Sequence, residues 1–280
     1  MPTSKKAASH QNKPDEFVKN LRKDQGYMPV GDHLEELRWR LLRSIIYIFA
    51  FSIVVVIFYS FVWDFVMGPL APIINEAPSY NITVKVITTQ LGDYFALKLK
   101  IMFLVGLILA LPVILFEIWG FIIPALDKAF RKMGNGLLIG AILLFWGGVL
   151  TARYFIWPLV AKFLIYDWLP PPISLGASEQ IIRPEVHLTI NDYLSFFFGF
   201  HFGFGIAFEL PIISMVLAAM GILRSRIYLQ SWRVALVAIA VISAMLTPPD
   251  IFSMIAMMLP LTVLYCLSAL LVFIVEKREN

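Results

Sequence analysis

Long apolar runs with almost no charge inside them recur along this chain, and they constrain its fold more than any other feature. A bilayer-spanning helix needs roughly 20 predominantly apolar residues. Residues 44–63, 94–120, 133–157, 193–219 and 251–275 meet that length, and 234–246 is a shorter run of the same kind. Only 15% of the 280 residues are charged, against roughly 25% in soluble domains. The pattern predicts an all-α integral membrane protein with six transmembrane helices and excludes a soluble enzyme. A tight turn, Thr247-Pro248-Pro249-Asp250, separates the last two runs. That turn, with the span after it, argues that the short fifth run also crosses, with local thinning of the bilayer.

Lysine and arginine set the orientation. Setting aside Arg43, Lys98, Lys100 and Arg153 in or beside span ends, the segments before span one, between two and three, between four and five, and after six hold 16 of them, and the opposite segments hold 3. Both termini are therefore expected in the cytoplasm. The loops 69–93 and 158–191 then lie outside. They are long for connectors and are expected to form a structured extracytoplasmic cap, in which 80–89 alternates as a strand does. Residues 1–29 read as a polar, disordered cytoplasmic tail without the apolar stretch of a signal peptide. Residues 30–276 form the transmembrane domain, and 277–280 a second cytoplasmic tail. The triplet Asn81-Ile82-Thr83 fits a glycosylation acceptor, a pattern common by chance. The lone Cys266 permits no intrachain disulfide, and no internal repeat is visible.

No phosphate-binding loop, HExxH or GxSxG motif is present. The histidines at 10, 33, 187 and 201 lack metal-ligand spacing. No catalytic residue, metal or cofactor is expected, and no nucleic-acid partner. The work of such a chain is binding, gating or conduction, with energy supplied from elsewhere.

Three segments carry polar chemistry. In the first, Leu34, Leu37 and Leu41 share one helical face leading into span one, with Asp32 as a candidate N-cap. Glu36 and Arg40 stand four apart, which on its own reads as a solvated ion pair worth about 0.3–0.5 kcal/mol. In the second, Glu209 lies near mid-membrane, where an ionisable side chain is costly and functional by default. Pro211 frees a backbone carbonyl one turn earlier. His201, eight residues before Glu209, reads as a hydrogen-bonded packing residue or as a proton relay. The third ends span two with Phe121-Ile122-Ile123-Pro124-Ala125-Leu126-Asp127. One turn earlier, Glu117 reads as a snorkelling interfacial carboxylate, Asp127 as a helix-end charge, and Asp250 as the N-cap of span six.

Together these segments resemble the TatC family, the core receptor of twin-arginine protein translocation. The resemblance rests on His33-Leu34-Glu35-Glu36-Leu37-Arg38-Trp39-Arg40-Leu41, Phe121-x-x-Pro124-Ala125-Leu126, Phe208-Glu209-Leu210-Pro211 and Thr247-Pro248-Pro249-Asp250. In order and spacing they run from about residue 30 to 275. It implies a concave helix array in the bacterial inner membrane that recognises signal peptides bearing consecutive arginines. The implied partners are single-span proteins of the TatA and TatB type, the bilayer, and further copies of the chain. The proton-motive force would drive export of folded proteins.

The resemblance carries Glu36 over as an arginine-binding carboxylate, in a site with Arg38, Glu117, Asp127 and Arg131. It carries Glu209 over as an intramembrane polar site open to lipid, in a group with Pro211, Asp250 and His201. Carboxylates suit a planar guanidinium through bidentate, charge-assisted bonds that Lys does not reproduce. Two positions depart from the family pattern. Phe130 stands where a loop glutamate is usual, so either Asp127 or Glu117 substitutes for it or the chain recognises a variant signal. Cys266 follows Tyr265 where an acid is usual in span six. The alternative reading is a proton-coupled secondary transporter using Glu209 and His201, which should show repeat halves. An intramembrane enzyme is a distant third.

Overall fold

The computed structural model describes residues 30–80, 83–88, 92–125, 131, 134–167, 173–175, 180–182, 185–247 and 250–279. The first helix, α1 (Val30–Ile57), takes in the amphipathic lead-in and the apolar run without a break. Asp32 therefore lies inside the first turn, not at the cap as its sequence context suggests. It still complements the helix dipole there. Two shorter helices follow, α2 (Tyr59–Met67) and α3 (Leu70–Glu76), then strand β1 (Thr83–Ile87).

Helix α4 (Asp93–Ile122) keeps Pro112 in its interior. Helix α5 (Gly134–Thr151) continues through a π-helical turn (Ala152–Ile156) into α6 (Trp157–Lys162). Three strands come next: β2 (Ile173–Leu175), β3 (Gln180–Ile182) and β4 (Glu185–Thr189). Helices α7 (Ile190–Ala207) and α8 (Leu210–Ala219) are separated by a break at Phe208 and Glu209. The chain ends with α9 (Ser225–Gln230), α10 (Trp232–Leu246) and α11 (Ile251–Glu279).

Five helical stretches are long and apolar enough to cross a membrane: Gly31–Ile57, Asp93–Ile122, Gly134–Tyr166, Ile190–Ala219 and Ile251–Lys277. Their outward faces carry large exposed hydrophobics such as Ile53, Phe155 and Leu259. Aqueous surfaces rarely tolerate so much contiguous apolar area, and lipid does. Helix α10, with 15 residues, is shorter than the other five.

Three clusters of buried side chains hold the array together. One joins α1–α3 to α4, α5 and α7 around Val55, Ile101, Phe145 and Leu194. A second joins the end of α4 and the start of α5 to α8 and α11. The third places Phe200 and Phe204 of α7 against Ile239 of α10 and Met257 and Leu261 of α11. Helix α1 packs along α4. They come close at Gly106, where a Cβ would fall 2.8 Å from the Ser52 backbone nitrogen. Small residues that let backbones meet are the usual solution where lipid supplies no hydrophobic drive.

At one end of the array, β1 pairs in parallel with β4, from Thr83 opposite Glu185 to Ile87 opposite Thr189. The alternation read over 80–89 is thus a strand between 83 and 87. Strand β2 pairs antiparallel with β3. The start of α7, which follows β4 directly, is tied to its surroundings. Thr189 Oγ1 accepts from the Asp192 N–H and so caps α7. Tyr193 Oη donates to the Val66 carbonyl at 2.7 Å, and Lys100 Nζ donates to Asn191 Oδ1 and Ser195 Oγ.

Candidate functional site

At the end of the array opposite the strands, α1 and α4 bring four charged side chains into a ladder. Glu36 Oε1 accepts from Arg40 Nε at 2.9 Å and from Nη2 at 2.6 Å. Arg40 Nη1 donates onward to Glu117 Oε2 and to the Glu117 backbone carbonyl, both at 3.1 Å. From one turn along α1, Arg43 Nη1 donates to Glu117 Oε1 at 3.2 Å. The pair that looked like a surface contact is one rung of this network. Glu117, only 4% exposed, is enclosed and neutralised by two guanidinium groups and does not snorkel.

The helix contact makes room for this arrangement. A Cβ on Gly120 would lie 2.3 Å from Arg40 Nη1, so the guanidinium occupies the notch that glycine leaves. His33 stacks on Phe121, with centroids 4.0 Å apart and planes 8° from parallel, and closes the ladder on its outer side. Glu36 Oε2 is left enclosed and without a hydrogen bond, 3.9 Å from His33 Nδ1. Chemically, the site holds guanidinium on carboxylate, with one carboxylate oxygen still unused.

Of the other residues proposed for this end, Arg38 is exposed on α1. Arg131 donates from Nη2 to the Pro124 carbonyl at 2.9 Å, folding back over the end of α4. Asp127 and Phe130 lie outside the described residues. The sequence reading placed Arg40 only beside Glu36 and gave Arg43 no role. Their spacing of three on one helix, level with Glu117 at the same end of the next span, is the signal that would have linked them.

The intramembrane residues do not form one site. Glu209 sits in the break between α7 and α8, where its N–H donates to Ile206 O at 3.0 Å and its carbonyl accepts from the Ile213 N–H at 2.9 Å. Pro211 has no N–H for the Ala207 carbonyl, and the helix restarts behind it. The side chain of Glu209 is 6% exposed, with Oε1 enclosed and unpartnered. The expectation of an acid open to lipid is thus corrected, because the turn at Phe208 and Glu209 sets it on a buried face.

His201, 2% exposed, donates from Nδ1 to the Phe197 carbonyl at 2.6 Å and packs against Trp157 and Phe197. Among the described residues no hydrogen bond joins His201 to Glu209, so a proton relay between them has no link. Asp250 caps α11, accepting the Ser253 N–H at 2.6 Å, with the Ser253 hydroxyl on its other oxygen. Cys266 is exposed on α11. Among the described residues no group of His, Cys, Asp or Glu has the geometry of a metal site.

The family model described as "Sec-independent protein translocase protein (TatC)" matches residues 32–260, a stretch that takes in the ladder, the Glu209 break and Asp250. The chain belongs to the TatC family. The TatC of Aquifex aeolicus (strain VF5) is 34% identical over 253 residues, covering 90% of this chain and 98% of that one. The TatC of Escherichia coli (strain K12) is 34% identical over 245 residues, 88% of this chain and 87% of its own length. A crystal structure of the twin-arginine translocase receptor TatC superimposes with a TM-score of 0.72 at 33% identity, over 87% of this chain and 99% of the other. As a TatC-family protein the chain is a multi-pass component of a protein translocase in the bacterial cytoplasmic membrane.

Proposed function

We propose that this chain is the receptor for twin-arginine signal peptides, and the scaffold on which a translocase driven by the proton-motive force assembles to export folded proteins. The observation that carries this reading is the carboxylate–guanidinium ladder at the end of α1 and α4. Glu36 already binds a guanidinium through one oxygen, and its second oxygen has no hydrogen-bond partner. A signal-peptide arginine is the same chemical group as Arg40 and fits the same acceptor geometry. Arg38, Asp127 and Arg131 share the signal-peptide-binding role in this reading, and Glu117 sets the position of Arg40. Glu209, whose Oε1 has no hydrogen-bond partner among the described residues, is the contact for a polar group on a TatA- or TatB-type helix. Self-association completes the scaffold.

The test is binding of a twin-arginine signal peptide to Glu36→Ala, measured over a range of salt concentrations. The variant is expected to insert in the membrane and to lose binding by tenfold or more, the cost of roughly 1.5–3 kcal/mol for a hydrogen bond to a charged group. Binding equal to the parent at every salt concentration would overturn the reading.

A further inference from the structure

On the side of the array bounded by α1, α2, α4, α5 and α7 there is a cleft of about 460 Å³. Its walls include Val55, Phe61, Leu109 and Trp146, and apart from Arg153, His201 and the Trp146 indole N–H they carry no polar side-chain group. Phe61 and Leu150 on its rim are exposed, so it opens sideways into the membrane. The volume falls within the roughly 300–1,000 Å³ of small-ligand sites. One turn of an α-helix about 10 Å across fills about 400 Å³ by itself. The cleft therefore admits a flexible chain and not a packed helix.

Arg153 stands where this cleft meets a second crevice of about 340 Å³, toward the end of the array that carries the strands. It lies in the π-helical turn between α5 and α6, a distortion that re-aims side chains and is common at functional sites. Nη2 donates to the Phe65 carbonyl at 3.3 Å, and the guanidinium lies 5.1 Å from the Phe65 ring and 5.9 Å from the Tyr154 ring. Among the described residues no carboxylate pairs with it. Its five N–H donors thus meet one protein acceptor, while Nε is enclosed without a partner. In the second crevice, by contrast, Lys162 is paired with Glu76 at 2.8 Å. The cleft has an apolar body and, at its mouth, a cation that lacks an anion.

We propose that this cleft binds one molecule of anionic phospholipid, with an acyl chain along the apolar walls and the headgroup phosphate on Arg153. A phosphate presents a pair of oxygens that the planar guanidinium fork can bind bidentately, and the second crevice leaves space for the rest of the headgroup. This site is independent of the guanidinium-binding ladder, which lies at the other end of the array.

Trp146 on the cleft wall provides the readout. The full-length protein is reconstituted in zwitterionic vesicles containing a minor fraction of lipid with brominated acyl chains, on either an anionic or a zwitterionic headgroup. The quenching that is lost in Trp146→Phe is the part due to the cleft. In the parent that part is expected to favour the anionic lipid about fivefold, the effect of one cation near a membrane phosphate. Arg153→Gln is expected to remove the preference and Arg153→Lys to keep most of it. Val149→Phe, which narrows the cleft, is expected to reduce quenching by both lipids, and soluble glycerol phosphate is expected not to relieve it. Thermal unfolding of each variant verifies folding, and if Arg153→Gln does not fold, the lysine and Val149 variants decide. Equal quenching by both lipids in the parent, a preference that survives in Arg153→Gln, or displacement by soluble phosphate would each overturn the proposal. So would absence of Trp146 quenching, the result expected if a polypeptide fills the cleft.

Discussion

The strongest constraint at the level of single side chains is the one on Glu117. A carboxylate 4% exposed near the end of α4 is tolerable only because Arg40 and Arg43 both reach it. Removing one partner of a buried pair costs about 3–5 kcal/mol, since the other charge stays behind. Arg40→Ala is therefore expected to destabilise the protein by about 3 kcal/mol, measured by unfolding in detergent. Adding Glu117→Gln should restore a large part of that loss by removing the stranded charge. Arg43, half exposed, should matter less. Glu209 poses a different case, an acid whose enclosed Oε1 has no hydrogen-bond partner among the described residues. Glu209→Gln keeps a donor and an acceptor and is expected to retain substantial export of a folded twin-arginine substrate into membrane vesicles. Glu209→Leu is expected to assemble and lose export. Full export with leucine would leave the residue without a role, and an inactive glutamine variant would favour proton transfer.

Among the helices, the least obvious from sequence are those whose geometry depends on neighbours. The apolar runs of α4 and α11 were legible because composition alone decides membrane insertion. The lead-in to α1 was legible as amphipathic, but its continuity with the span was not, since local pattern gives no signal for joining two helices end to end. The break at Glu209 was announced by Pro211, whereas the burial of that side chain depends on how the restarted helix turns. The ladder was half legible: Glu36 and Arg40 share a helix, but Glu117 enters only once α1 and α4 cross near Gly106 and Gly120. Asp250 was readable as an N-cap from its place before a long apolar run, and its bond to the Ser253 N–H gives that reading a magnitude. Asp250→Ala is expected to cost about 1 kcal/mol and Asp250→Asn a few tenths. Thermal unfolding in detergent measures both, and a loss well above that range would point to a role beyond the cap.

For the molecule as a whole, we propose from the charge bias of the loops that both termini and the ladder lie in the cytoplasm and the paired strands outside. In a Cys266→Ala background, a cysteine at Ser178 is expected to react with a membrane-impermeant maleimide in cells with a permeabilised outer envelope. A cysteine at Ser9 is expected to react only after the inner membrane is opened. The reverse pattern would invert the array and with it the side on which a signal peptide is met. The parallel pairing of β1 with β4 also ties the fold to the clock of protein synthesis. Antiparallel neighbours can form a hairpin as they emerge, but parallel ones need a long crossover, and here the partners lie about 100 residues apart. At about 5–20 residues per second, β1 waits roughly 5–20 seconds for β4 while α4 and α5 enter the bilayer between them. Through that interval the edge of β1 is open to any other strand, so the pace of the ribosome over 90–185 governs how long this chain is vulnerable to mispairing.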